Sequence, residues 1–111
     1  TKGEAGVAYM VKRLTRDAAD VFGVEAGSID PGAQADIVLI DPKALAAHDG
    51  EKNTIRVWRD VLGNEQLVNR ADGVVRRVLI RGETVWRDGV FTEALGAKKL
   101  GRVLKARNAA A

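Results

Sequence analysis

The spacing of apolar residues changes once along this chain, and that change limits what it can fold into. Between Glu4 and Leu14, the residues Val7, Met10, Val11 and Leu14 recur at steps of three and four, which places them in one stripe on a helix. Past the turn signals Gly27 and Pro31-Gly32 this period disappears. Apolar residues then come in short β-branched runs at Ile37–Ile40, Thr54–Arg59, 66–69, 74–80 and 84–87, separated by Gly, Pro, Asp and Asn. Helices first and strands later is an α+β order, with the strands mostly antiparallel.

Local signals sharpen the elements. Thr15 is placed to N-cap a second helix, Arg16–Phe22, with Asp17 in its first turn and Gly23 as its stop; that helix is expected to bury Ala18, Val21 and Phe22. Pro31-Gly32 suits a type II turn, because Gly accepts the positive φ of the third position. The run Ile37–Ile40 is too short for a helix and reads as a strand buried on both faces. Asp41-Pro42 ends it and starts a short helix over Pro42–Ala47, with Asp41 as its cap. A polar loop from His48 to about Asn53 follows. The strands 74–80 and 84–87 flank Arg81-Gly82-Glu83, a tight-hairpin signal, and Asp88-Gly89 marks a further turn before Val90-Phe91. Residues 101–104 read as a last short strand, and 106–111 as a disordered tail.

Composition then excludes several classes. The chain has 111 residues, enough for about one domain that buries roughly two-thirds of its unfolded surface. At 46% hydrophobic and 30% charged it falls in the soluble globular range. There is no Cys, so no disulfide framework and no thiolate metal site. No apolar run approaches the ~20 residues that span a bilayer, and no signal-peptide pattern opens the chain, which points to a cytoplasmic protein without a membrane partner. The chain reads as a piece of something longer. The net charge of +3 is a property of its end: Lys98, Lys99, Arg102, Lys105 and Arg107 follow the last acid, Glu93. That tail carries no interleaved aromatics and no helical reader, so it reads as a solvated or surface-docked C-terminus, not a nucleic-acid arm.

Catalytic chemistry finds little to work with. A hydrolytic zinc site needs about three converging ligands and an open position, and the chain holds one His, His48, in a polar Ala-Ala-His-Asp-Gly loop where a solvent-exposed role is the simpler reading. Ser28 is the only serine, in a Gly-Ser-Ile-Asp turn without a nucleophile elbow. No glycine cluster matches a phosphate-cradling loop. Asp36 and Asp41 lie five positions apart across a strand, so alternation sends them to opposite faces. Each has a structural task instead: Asp36 can accept N–H groups of the Pro-Gly turn region, and Asp41 can cap the short helix. Trp58 and Trp86 read as core or interface anchors. No catalytic, cofactor-binding or metal-ligating residue is therefore assigned.

The order of these motifs resembles a known family. Leu14-Thr15-Arg-Asp-Ala18-Ala-Asp-Val-Phe22-Gly23-Val24, then Gly27-Ser-Ile-Asp-Pro31-Gly32-Ala-Gln-Ala35-Asp36-Ile-Val-Leu-Ile-Asp41, is similar to the end of a metal-dependent amidohydrolase. There, a last barrel helix runs into a Gly-x-Ile/Leu-x-Pro-Gly-x-x-Ala-Asp segment and an apolar strand. Leu67-Val-Asn-Arg-Ala-Asp-Gly73-Val74, Val78-Leu-Ile-Arg-Gly82-Glu-Thr-Val, Arg87-Asp-Gly89-Val-Phe-Thr92 and Gly101-Arg-Val-Leu104 resemble the N-acyl-D-amino-acid deacylase (D-aminoacylase) branch. Glu25-Ala26, where a basic residue is usual, and the stretch from Thr92 to Gly101 depart from that branch.

The resemblance implies a zinc-dependent parent enzyme that hydrolyses amide C–N bonds of N-acyl-D-amino acids on a (β/α)8 barrel. Residues 1–24 would be the terminal barrel helices and 25–105 a portion of a small β-sandwich completed by N-terminal strands of the parent. The family's metal ligands and catalytic Asp match no position here, so the fragment itself is expected to be inactive, to need the upstream barrel and sandwich strands as partners, and to self-associate through unpaired edges without them. The alternative is an independent small β-rich interaction domain.

Overall fold

A computed structural model describes residues 3–107. The chain divides into two compact units: the first takes residues up to 37, 80–83 and 99 onward, and the second takes 38–79 and 84–98. Apart from a strand expected at 101–104, the expected helices and strands are present, in an α+β order.

In the first unit, α1 (Glu4–Leu14) and α2 (Arg16–Phe22) meet at Thr15. Thr15 occupies the N-cap position of α2, but its hydroxyl donates back to the Val11 carbonyl at 2.7 Å and caps nothing. With the hydroxyl turned toward the preceding helix, the first turn of α2 is supported by charge instead: Asp17 pairs with Lys12 at 3.2 Å and Arg13 at 3.4 Å. The C-terminus of α2 follows the Schellman pattern: Gly23 is left-handed at φ 65°, Gly23 N–H donates to Asp20 O, and Val24 N–H donates to Ala19 O.

The burial expected of α2 is corrected. Ala19 is its buried residue, whereas Val21 and Phe22 stand 82% and 72% exposed and Ala18 is half-buried. Periodicity identifies an apolar face without saying what covers it. The α1 stripe of Val7, Met10, Val11 and Leu14 is likewise exposed.

Gly27 explains how the chain leaves these helices. At φ +74° its missing Cβ would lie 2.6 Å from the Thr15 carbonyl carbon and 2.7 Å from Arg16 N, so only glycine lets the backbone cross the α1–α2 junction this closely. The expected reversal follows: Ala33 N–H donates to Asp30 O around Pro31-Gly32, with Gly32 at φ 91°.

The strands form a four-stranded sheet in the order β1-β4-β5-β6 and a two-stranded sheet β2-β3. Their ranges are β1 Ile37–Ile40, β2 Thr54–Arg59, β3 Asn64–Asn69, β4 Val75–Ile80, β5 Glu83–Arg87 and β6 Val90–Phe91, with α3 (Pro42–Ala47) after β1. Asp41 N–H, just past β1, donates to Val74 O, just before β4, so those strands run antiparallel. Two-residue turns join β4 to β5 at Arg81-Gly82 and β5 to β6 at Asp88-Gly89. All four turn residues have positive φ, the mirror-image geometry that matches strand twist. Two expectations fail here. Val38, Leu39 and Ile40 are exposed, so β1 is not buried on both faces; it lies at the end of the strand order and has one strand neighbour among the described residues. Residues 101–104, expected as a last strand, carry no regular secondary structure and join no sheet among the described residues. Ala94–Ala97 is turn-like rather than regular helix, because Leu95 is extended and Gly96 left-handed.

Core formation is slight. Ala19, Val74 and Val85 are the buried apolar residues among those described. The accessible surface is 9221 Å², against about 6,000 Å² for a folded 111-residue monomer or about 7,000 Å² for two independent units of half that size.

Replacing Gly27 by Ala is expected to lower the stability of the first unit by at least about 2 kcal/mol, since it adds backbone overlap to an unfavourable φ; loss of helical circular dichroism in a urea titration measures it. The Lys12 and Arg13 bonds hold the Asp17 carboxyl below its ordinary value of 3.8. A depressed carboxylate contributes stability above its unfolded pKa, lost as pH falls through the folded one. The helices are therefore expected to lose a small increment of stability below about pH 4, and Asp17→Asn to remove that increment in an acid titration of helicity.

Candidate functional site

Asp41 and Ser28, two of the residues that could carry chemistry, are held by their own local structure. Asp41 caps α3 as expected, its Oδ1 accepting from Lys43 N–H at 2.9 Å and Ala44 N–H at 3.1 Å. Ser28 donates its hydroxyl to the Asp30 carboxylate and accepts the Asp30 N–H at 3.0 Å, which closes a turn and commits the oxygen. His48 is the C-cap of α3, its N–H donating to Leu45 O, and is half-buried, a correction to its expected exposure. Asp49 Oδ1 accepts from Glu51 and Lys52 N–H groups. Among the described residues, no group of three His, Cys, Asp or Glu sits where it could hold a metal ion.

Asp36 has a different partner from the one expected. Its Oδ1 accepts the backbone N–H of Arg81 at 2.8 Å, 45 residues away, while Oδ2 accepts from the Gln34 amide at 2.7 Å. The adjacent Ala35 carbonyl accepts Gly82 N–H, also at 2.8 Å. Both N–H groups of the Arg81-Gly82 turn, which no strand partner satisfies, are thus taken by two consecutive residues of the Ala35-Asp36 segment. Arg81 holds φ 54° without being glycine, at a cost of about 1 kcal/mol. A carboxylate on its N–H offsets that cost, since bonds to a charged group exceed neutral ones. Sequence reasoning missed this clamp. The only available signal was a two-residue Arg-Gly turn with N–H groups to satisfy.

The tryptophans differ from each other. Trp86 meets Phe91 edge to face, with centroids 4.8 Å apart and planes at 74°, as the register Trp86↔Phe91 requires. Its indole N–H is buried without an acceptor. Trp58 is exposed and donates to Asp60 Oδ1 at 2.9 Å, so it anchors no core. Of the basic tail, Arg107 docks: its N–H donates to Gly23 O at 2.7 Å and its guanidinium to Val24 O at 3.2 Å, placing a cation at the C-terminal end of α2, where the helix dipole favours one. The expected disordered tail otherwise falls on 108–111, outside the described residues. Among the described residues, no helix is long and apolar enough to cross a membrane.

Comparison with known proteins follows this geometry. A sequence model of the amidohydrolase family matches residues 7–85. That span contains Gly27, Pro31-Gly32, Asp36 and the Arg81-Gly82 turn. Uncharacterised proteins of Mycobacterium bovis and of two strains of Mycobacterium tuberculosis are each 35% identical over 82 residues. The alignment covers 73% of this chain and 13% of each relative, so the chain spans only a small part of the proteins it matches. No solved structure matches.

Asp36→Ala is expected to destabilise the first unit by about 0.5–1.5 kcal/mol by removing the bond to the exposed Arg81 N–H. Arg81→Asn is expected to stabilise it by about 0.5–1 kcal/mol, since Asn tolerates the left-handed region. Denaturant midpoints of the two variants should move in opposite directions.

Proposed function

The chain belongs to the amidohydrolase family, and from that premise we propose that it is a C-terminal structural portion of a zinc-dependent enzyme that hydrolyses amide C–N bonds. N-acyl-D-amino acids are the proposed substrate class. In this reading α1 and α2 are the last helices of the enzyme's barrel, and the strands belong to a small sandwich domain completed by other parts of the longer chain.

The observation that carries the reading is what residues within the matched span do in three dimensions. Gly27 allows a close backbone crossing, Pro31-Gly32 turns the chain, and Ala35-Asp36 clamps a hairpin turn. These are architectural tasks. The zinc that the reading implies does not fit the residues present, since one His and scattered carboxylates form no group able to hold it among the described residues. Metal binding and water activation therefore belong to other residues of the proposed parent, and no step of hydrolysis is assigned to this chain.

The uncovered apolar surface supports the same reading. Val7, Met10, Val11 and Leu14 on α1 and Val38, Leu39 and Ile40 on β1 stand 42–74% exposed, as apolar residues do when the surfaces they pack against lie elsewhere. Its partners, in this proposal, are the barrel and sandwich strands of the same longer protein.

The purified 111-residue chain with added zinc is expected to release no amino acid from N-acyl-D-amino acids, whereas a longer protein that includes it should do so and lose activity to a chelator. Turnover by the 111 residues alone would overturn the structural role. A longer chain without a His-x-His pair upstream of Thr1 would overturn the hydrolase reading.

A further inference from the structure

Aspartate followed by glycine occurs three times in this chain, at Asp49-Gly50, Asp72-Gly73 and Asp88-Gly89. The pair has a chemistry of its own. Glycine has no side chain to shield its backbone nitrogen, so that nitrogen can attack Cγ of the preceding aspartate when rotation brings the two together. An N–C bond forms, the nitrogen gives up its proton and the carboxyl its hydroxyl, so one water leaves and a five-membered succinimide remains. Water then adds back at either ring carbonyl. Opening at Cγ restores aspartate. Opening at the backbone carbonyl leaves the chain running through Cγ as isoaspartate, with no net change of mass and one extra CH2 in the main chain.

Attack needs rotation about the Cα–C bond of the aspartate and about its side chain, and at two of the three sites the structure holds both. Asp49 Oδ1 accepts from Glu51 N–H at 3.1 Å and Lys52 N–H at 3.3 Å, and Lys52 Nζ lies 3.4 Å from Oδ2. The carbonyls flanking the Gly50 nitrogen are held as well. Asp49 O accepts from Asn53 N–H at 3.1 Å and Asn53 Nδ2 at 2.7 Å, and Gly50 O accepts from Thr54 Oγ1 at 2.7 Å and Asn69 Nδ2 at 3.0 Å. At Asp88 the carboxylate pairs with Arg76 at 2.8 Å, and the Asp88 N–H donates to Arg76 O at 3.0 Å, within a hairpin closed by Arg87↔Val90.

Asp72-Gly73 is built differently. The two residues are exposed and form the middle of a turn in which Val74 N–H donates to Ala71 O at 3.2 Å. A Cβ on Gly73 would meet nothing within 4 Å, whereas one on Gly50 would lie 3.3 Å from Asn69 Nδ2. The Asp72 carboxylate makes no hydrogen bond or ion pair among the described residues.

We propose that Asp72-Gly73 is a site of spontaneous isoaspartate formation, and that the bonds at Asp49 and Asp88 protect the other two pairs. Position gives the modification a structural consequence. Val74, the next residue, is 6% exposed, and its carbonyl accepts the Asp41 N–H at 2.8 Å, which ties the start of β4 to the end of β1. An added main-chain carbon immediately before Val74 displaces it from that partner.

The chain is incubated near neutral pH for days to weeks, and aliquots are unfolded and digested with a protease that cleaves before aspartate but not before isoaspartate. Each of the three sites is then read separately. Isoaspartate is expected to accumulate at Asp72 at least about tenfold faster than at Asp49 or Asp88, because the bonds holding either of those sites are together worth about one power of ten in rate. Incubation in denaturant removes the bonds, and there the three rates are expected to converge. A ratio below tenfold in the folded chain, no conversion at Asp72, or a preference for Asp72 that persists undiminished in denaturant would each overturn the proposal. No metal or substrate enters the experiment, so its outcome is independent of the hydrolase reading.

Discussion

The first unit depends on one small junction, in which Asp36 and Ala35 take the two N–H groups of the Arg81-Gly82 turn. A mirror-image turn points both of its central N–H groups away from its own ladder. Arg81 and Gly82 are exposed, so water could serve these groups and each bond contributes about 0.5–1.5 kcal/mol net. The bonds to Ala35 and Asp36, both at 2.8 Å, instead tie the turn to that segment and fix where the chain enters β1. Entry has to be fixed from both ends. Gly27 sets the near end by crossing the α1–α2 junction at a distance that no side chain permits, and Pro31-Gly32 reverses the chain between them. Three features spaced over ten residues thus convert a helix exit into a strand entry.

What could be read from the sequence divides by the distance over which each signal acts. The Asp41 cap, the Gly23 stop and the Pro31-Gly32 turn depend on groups within a few residues, and each appears where spacing places it. The Asp36 bond could not be read this way, because its donor lies 45 residues along the chain and belongs to a backbone group with no residue-type signature. Thr15 shows the limit of even local reading: a hydroxyl between two helices can cap the second or bond back to the first, and here it bonds back to Val11. Burial was the least legible property. The stripes of α1 and α2 and the run Ile37–Ile40 were correctly identified as apolar, yet their cover is not supplied by the described residues.

The candidate site shows the same division in chemical terms. Five-residue spacing across a strand was enough to separate Asp36 from Asp41, and the structure gives them separate backbone partners. The Ser28 hydroxyl is accounted for within its own turn. That pattern bears on how the family match is to be understood. A family can be recognised through residues that perform no chemistry, provided the geometry they impose tolerates few substitutions. Gly27 and Asp36 meet that condition: one has no room for a methyl group and the other must present an acceptor at a fixed distance. Both lie within the span 7–85 that the family model matches, and what they impose there is geometry.

Uncovered surface then becomes the property that most needs a physical account. A chain whose buried apolar residues are Ala19, Val74 and Val85 among those described gains little from its own core, and at about 25 cal/mol per Å² each further 1,000 Å² of covered apolar surface would contribute on the order of 25 kcal/mol before entropy is subtracted. Helical stripes and strand edges differ in how that gain can be realised. A stripe such as Val7, Met10, Val11 and Leu14 accepts any complementary apolar surface, because packing is non-directional. An edge such as that of β3 accepts only a strand, in a register that its outward N–H and C=O groups dictate. The two kinds of surface therefore need not share a partner. The helical stripes and the strand edges make different demands: complementary apolar area for the one, and a strand in a single register for the other.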